Sequence, residues 1–140
     1  MNVIKYTIGN ARFVSGSEHV VGTLEGSCII PTPWAPNWVA GVCNYNGSPV
    51  VVFCGSSLLE VEASKKGVVI IAKNGSDIIG LLVTEFNGYA DILGANGKTI
   101  IDAGALTGVL TGVLEYEGTK HFCINLSQIF YCSLMLGSMK

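Results

Sequence analysis

The stretch PTPWAPNWVAGVCNYNG, residues 31–47, places a proline-rich segment directly before an apolar run and a turn. Proline fixes the backbone angle φ and has no amide donor, so residues 31–36 cannot lie inside a helix or a central strand. We therefore predict an extended, rigid connector. Its structural corner consists of Pro31, Pro33, Pro36 and Trp38. Trp34 and Trp38 each supply a large apolar area, and we expect both to be buried.

The residues after this corner predict a hairpin. Residues 39–45 indicate a strand, Asn46-Gly47 is a strong signal for a tight turn, and residues 48–53 indicate the partner strand. Residues 55–60 predict a short helix. The same mixture of short apolar runs and turn residues recurs on both sides of this hairpin along the whole chain, which favours a fold built from hairpins.

Further strands follow from alternation of apolar and polar residues or from short apolar runs between turn signals. They are predicted over residues 3–8, 12–15, 20–24, 67–73, 78–84, 88–93, 109–115 and 121–126. The glycine-rich residues 94–108 predict a surface loop, and residues 127–135 a terminal helix. No long helical pattern separates the strands, so the sequence predicts an all-β barrel or sandwich.

The composition limits the kinds of protein that this chain can be. The chain has 140 residues, of which 49% are hydrophobic and 13% charged, which suits one folded domain over residues 1–140. A net charge of −2 without a basic run argues against nucleic-acid binding. The longest apolar runs are interrupted well short of about 20 residues, so we expect no membrane insertion and a cytoplasmic location.

The residues that could support catalysis or metal binding are few. The five cysteines show no CxxC spacing, and we expect them to be small buried hydrophobic side chains. His19 and His121 are both expected at the surface. A Cys54–His121 nucleophile pair, or a metal site formed by Cys28, Cys43, Cys54 and His121, stays open as the basis of a thiol- or metal-dependent enzyme. We expect no cofactor.

The opening stretch resembles the centre of the CheW-like family, the coupling proteins of bacterial chemosensory arrays. The family pattern there is close to P-x-P-x-A-P-x-[FW]-[VIL]-x-G-[VI]-x-N-L-R-G. The chain matches it in register at Pro31, Pro33, Ala35, Pro36, Trp38, Val39, Gly41, Val42, Asn44 and Gly47. Weaker similarity, including the run IGLLV at residues 79–83, extends the resemblance over about residues 3–130 and leaves residues 131–140 as a tail.

The resemblance implies a fold of two packed five-stranded SH3-like barrels with short helices. It also implies a non-catalytic adaptor that couples the cytoplasmic tip of a chemoreceptor, a methyl-accepting protein, to the regulatory domain of a CheA-like histidine kinase. Such a protein lies at the inner face of the membrane within receptor arrays. By position, the receptor groove would include Val20, Gly41, Asn44, Asn46 and Gly47.

The chain departs from the family pattern mainly by losing charge. Asn46 stands where the family has arginine, so a charged fork of donors becomes a neutral amide. Commonly acidic positions carry uncharged residues at Gly22, Cys54, Thr84 and Asn125. These replacements leave two alternatives open: an adaptor of a pilus-linked chemosensory system that controls twitching, or a β-barrel interaction module that has kept the fold and changed its partner.

Overall fold

The computed structural model describes residues 2–58, 67–91, 96–99, 110–116 and 118–126. Almost every described segment is a strand or a tight turn. The strands are β1 (Asn2–Ile8), β2 (Ala11–Gly16), β3 (Val20–Glu25), β4 (Val39–Tyr45), β5 (Ser48–Cys54), β6 (Val68–Asn74), β7 (Asp77–Val83), β8 (Glu85–Asp91), β9 (Asn96–Thr99), β10 (Leu110–Tyr116) and β11 (Thr119–Ile124). A single helical turn, α1 (Gly55–Leu58), and the 3₁₀ turns Ser17–His19 and Gly26–Cys28 complete these ranges.

The strands form two sheets. The first has the order β8-β1-β2-β11-β10-β9, and the second has the order β3-β6-β7-β5-β4. The second sheet consists of the consecutive strands β3 to β7, which lie between β2 and β8 in the sequence. The first sheet therefore contains an insertion that forms the second. Each sheet contains one parallel pair, β2 with β11 and β5 with β7, and its other neighbours are antiparallel.

The predicted all-β class, its division into two β units and its short helices are confirmed. The first sheet contains one strand more than the five expected, because β9 pairs with β10 inside the stretch that was predicted to be a loop. The helix predicted over residues 55–60 is described as far as Leu58. The predicted terminal helix and the tail lie outside the described residues.

The core has three layers. A central layer lies between the sheets and combines Tyr6 and Phe13 of the first with Ile70 and Leu81 of the second. Behind it, the second sheet encloses a cluster of Cys43, Val50, Val52, Val69 and Ile71. The first sheet encloses a smaller cluster of Val3, Val14 and Leu114.

The strand β6 shows how the sequence produces these layers. Successive side chains of a strand point to opposite faces, so Val69 and Ile71 enter the second sheet's own cluster while Ile70 and Ala72 enter the central layer. Because both faces are covered, the strand is apolar at consecutive positions instead of alternating with polar residues. This arrangement explains the run VVIIA, residues 68–72.

Among the described residues, the central layer contains one buried polar pair. The Tyr6 hydroxyl lies 2.7 Å from Ser15 Oγ, and both side chains are buried. Burial raises the pKa of Tyr6 far above its usual range, although the hydrogen bond with Ser15 opposes that shift. Because each hydroxyl satisfies the other, this polar pair is accommodated between the sheets without an unpaired group.

The prediction for His121 is wrong. Its side chain is 8% exposed, whereas the neighbouring Phe122 is 38% exposed and packs against Phe13 with ring centroids 5.7 Å apart. The face of β11 that carries His121, which was expected to be at the surface, is therefore more buried than the face that carries Phe122. His19, in the turn Ser17–His19, is only partly exposed.

Candidate functional site

The β4–β5 hairpin ends in a two-residue turn. Tyr45 pairs with Ser48, and the residues between them, Asn46 and Gly47, have φ values of 51° and 84°. Two positive φ values in succession are typical of a type I′ turn, which matches the right-handed twist of the two strands. The Asn44 side-chain oxygen accepts a hydrogen bond from the Gly47 amide at 2.8 Å and closes the turn.

The hairpin tip is held against β3. The Tyr45 hydroxyl donates to the Val21 carbonyl oxygen at 3.0 Å. A Cβ atom on Gly22 would lie 2.8 Å from the same hydroxyl, so glycine at this position lets the tyrosine approach the strand. The loss of an acidic residue at Gly22 therefore has a packing reason in this chain.

The five residues predicted to line the receptor groove occupy two kinds of environment. Asn44, Asn46 and Gly47 are exposed at the hairpin tip, where a partner can touch them. Val20 is half-buried against the central layer. Gly41 is buried with a φ of 152°, and a Cβ atom there would clash with the Ile30 carbonyl oxygen. Gly41 therefore shapes the backbone, and the assignment of all five to a groove stays a prediction.

The connector is more folded than the predicted extended segment. The Ala35 amide bonds to the Thr32 carbonyl at 3.4 Å, and the Val39 amide bonds to the Pro36 carbonyl at 3.0 Å, giving two consecutive turns. Trp38 stacks on Phe53 with ring centroids 5.9 Å apart. The Trp38 carbonyl accepts from the Cys54 amide at 2.7 Å, so the end of the connector is fastened to β5.

The expectation that Trp34 is buried is wrong, so sequence reasoning missed it as a surface residue. It is 99% exposed and has a φ of 65°, following Pro33 in the Thr32–Ala35 turn. A positive φ after proline is the geometry of a type II turn, where glycine or asparagine is usual. Pro33 signals the turn in the sequence, but a tryptophan gives no signal that its side chain will point away from the core.

A second exposed apolar feature lies beside this turn. Ile30 and Val42 exchange backbone hydrogen bonds, and Val42 pairs with Val51, so the three side chains form a row that we call the apolar strip. Ile30 is 69% exposed and Val51 is 44% exposed. The sequence contains no Asp, Glu, Lys, Arg or His over residues 26–59, so this whole region of the second sheet is uncharged.

The structure separates the residues considered for a thiol or metal centre. Cys43 is buried, Cys28 is exposed, and Cys54 and Cys123 are partly buried, so the expectation that all cysteines are buried is wrong. The candidate pair is divided between the two sheets, with Cys54 in the second and His121 in the first. Within the described residues, no three His, Cys, Asp or Glu side chains are grouped to hold a metal ion.

The thiols whose pKa is perturbed are not activated as nucleophiles. Burial raises the pKa of Cys43, with Cys28 adding to the effect, and burial also raises the pKa of Cys123. A raised pKa reduces the thiolate fraction at neutral pH, which is the opposite of what a catalytic cysteine needs. These two cysteines therefore behave as packing residues.

Comparison with known proteins agrees with this architecture. A model of the CheW-like domain matches residues 2–132. The chain belongs to the CheW-like family. Chemotaxis protein CheW of Rhizobium meliloti (strain 1021) is 26% identical over 136 residues, covering 91% of this chain and 86% of that protein. The crystal structure of the scaffolding protein TtCheW from Thermoanaerobacter tengcongensis superposes with a TM-score of 0.73 at 15% identity, covering 88% and 87% of the two chains.

The comparisons describe relatives whose names indicate signalling and scaffolding proteins. Members similar to this chain are a chemotaxis protein and a scaffolding protein, and the structural likeness supports the same two-sheet fold. In the described part of the chain, we find no helix with the length and apolar character needed to cross a membrane. The exposed features of the uncharged region are the hairpin tip, the Thr32–Ala35 turn and the apolar strip.

Proposed function

We propose that this CheW-like protein is a non-catalytic adaptor that couples the cytoplasmic tip of a chemoreceptor to the regulatory domain of a CheA-like histidine kinase. Its place would be at the inner face of the membrane, within a receptor array. The observation that carries the proposal is the match of the CheW-like domain to residues 2–132, together with a relative named as a chemotaxis protein.

The hairpin tip is our proposed receptor contact. Asn44 already uses its side-chain oxygen inside the turn, whereas Asn46 and Gly47 present exposed groups to a partner. Asn46 has a left-handed backbone, which asparagine adopts more readily than arginine does. The replacement of the family arginine thus favours the turn while removing a charge from the contact.

We propose that Trp34 and the apolar strip supply the binding energy that the missing charges do not. Tryptophan is among the residues that most often dominate protein interfaces, because it buries a large area with little loss of side-chain freedom. An interface made by an uncharged surface does not rely on attraction between ions. Binding should therefore depend weakly on salt concentration, unlike an interface steered by arginine.

The test is a binding measurement with the purified receptor cytoplasmic fragment and kinase regulatory domain encoded in the same genome. Trp34→Asn should weaken receptor binding by about 30-fold, the effect of losing a strong interface anchor. Tyr89→Asn is the matched control, because Tyr89 is an exposed aromatic residue on the first sheet. Asn46→Arg should make receptor binding more sensitive to salt.

The outcomes separate the alternatives. Binding to both the receptor fragment and the kinase domain supports the adaptor function. Binding only to components of a pilus-linked system would show that the adaptor serves twitching. A folded protein that binds neither the receptor fragment nor the kinase domain would instead be a repurposed interaction module. An enzymatic activity of the purified protein that is lost when thiols are blocked or metal is chelated would point to the enzyme alternative.

A further inference from the structure

A cavity on the first sheet lies away from the uncharged surface. Its volume is about 270 Å³, and it opens on the face of the sheet opposite the central layer. On β1 this face carries Val3, Lys5 and Thr7, because alternate residues share a side. Val3 belongs to the apolar cluster of the first sheet, whereas the next positions along the same face are charged or polar. The remaining lining includes Arg12, Glu85, Asn87 and His121.

Positive charge is concentrated in this cavity. Arg12 is the sole arginine of the chain, and it lies there with Lys5 although the chain carries a net charge of −2. Neither cation forms an ion pair with another described residue. The one carboxylate in the lining, Glu85, accepts a long hydrogen bond of 3.5 Å from the Asn87 side chain. Two cations facing one carboxylate leave an excess of positive charge.

His121 forms the buried wall of the cavity. Its Nδ1 lies 3.2 Å from the Thr119 carbonyl oxygen, an acceptor, so Nδ1 carries the proton. The other ring nitrogen, Nε2, is then the atom that can gain a proton and donate to a ligand. Two unpaired cations nearby disfavour the protonated, positively charged form of the His121 ring, and a bound anion would remove this penalty.

We propose that this cavity binds a small oxyanion of the phosphate class, held by the Arg12 guanidinium and the Lys5 ammonium, with His121 as a further donor. Guanidinium offers two parallel donors that match the spacing of phosphate oxygens, and ammonium supplies a compact charge. Thr7 and Asn87 add uncharged polar side chains to the same lining. Glu85 limits how much negative charge the cavity accepts.

The experiment is an NMR titration of the two histidine rings with inorganic phosphate, and separately with glycerol 3-phosphate. His19 lies outside the cavity and reports any general effect of added salt. The His121 resonances should shift saturably with a dissociation constant of about 1–10 mM, as expected for a few partly hydrated contacts. Bound anion should raise the pKa of His121, because a nearby negative charge favours the protonated ring.

Arg12→Gln should weaken the response by about tenfold, and Lys120→Gln, an exposed cation outside the cavity lining, should leave it unchanged. A larger response to glycerol 3-phosphate assigns a phosphomonoester, and a larger response to inorganic phosphate assigns the free anion. Equal shifts of both histidines would indicate an adventitious ion only. That result, no saturable shift of His121, or an unchanged response in folded Arg12→Gln would overturn the proposal.

Discussion

At the scale of single residues, Trp34 has a backbone conformation and an exposure that are both unfavourable for tryptophan. Its backbone is left-handed and its indole is fully in water, so it contributes strain without contributing burial. Strained residues that remain in a structure often do so for a function outside the fold. The strained turn is therefore consistent with a contact between Trp34 and a partner, as proposed above.

Replacing Trp34 should therefore stabilise the isolated protein. Trp34→Asn should raise the free energy of unfolding by about 0.5–1 kcal/mol, because asparagine tolerates a positive φ better than tryptophan. Urea denaturation followed by far-UV circular dichroism measures the change. Trp38→Ala is the contrasting variant and should destabilise the protein, since Trp38 packs on Phe53 and the central layer. A loss of stability in Trp34→Asn would show that the indole packs within the fold.

Residues also show why only part of the site was predictable. Asn46-Gly47 was recognisable because both residue types accept positive φ, and the turn lies where the sequence places it. The place of Gly41 in a receptor groove stays a prediction. The structure adds that a Cβ atom there would clash with the Ile30 carbonyl oxygen, a close approach that no local pattern reveals. The exposure of Trp34 depends on which side of the turn faces the core, and this is a tertiary property.

At the scale of elements, the β4–β5 hairpin depends on hydrogen bonds at its tip. Asn44→Ala removes the acceptor of the Gly47 amide and should lower the free energy of unfolding by about 0.5–1.5 kcal/mol. Denaturant unfolding measures this loss. Asn44→Asp keeps an acceptor oxygen and should recover most of the stability. If alanine and aspartate behave alike, the hydrogen bond contributes nothing to the hairpin.

Strand prediction succeeded where hydrophobic patterns were strong and failed where packing decided the outcome. Strands β4 to β7 lie within one or two residues of their predicted positions, because their apolar runs end at clear turns. The segment Asn96–Thr99 is polar and glycine-containing, and it becomes a strand through pairing with β10. In β11 both faces meet other residues, so alternation could not tell which face is deeper; this is why His121 was placed wrongly.

At the scale of the whole molecule, His121 makes stability depend on pH. Burial lowers its pKa, and the nearby Arg12 and Lys5 lower it further, although the hydrogen bond to Thr119 opposes them. The unfolded chain therefore binds a proton at the ordinary histidine pKa, near 6.5, while the folded chain does not. Stability should be complete above that pH and should fall as the pH drops toward the lower pKa of the folded state.

Urea unfolding at about pH 7.5 and about pH 5.5, on either side of the ordinary histidine pKa, tests this expectation. The buffers should contain no phosphate. The wild type should lose more stability between the two conditions than His121→Gln, whose side chain does not titrate. His19→Gln is the matched control for the removal of a histidine. An equal loss in wild type and His121→Gln would place the pH dependence elsewhere.

The insertion of one sheet into the other has a consequence for synthesis on the ribosome. Strands β3 to β7 are complete once residue 83 has emerged, so their sheet can form while the chain is still growing. Strands β1 and β2 can pair with each other early, but Phe13 of β2 can pair with Phe122 only after β11 has emerged. Such distant pairing slows folding. Until the first sheet is assembled over them, Ile70 and Leu81 of the second sheet are exposed apolar side chains, and such exposure makes a partly folded chain prone to aggregate.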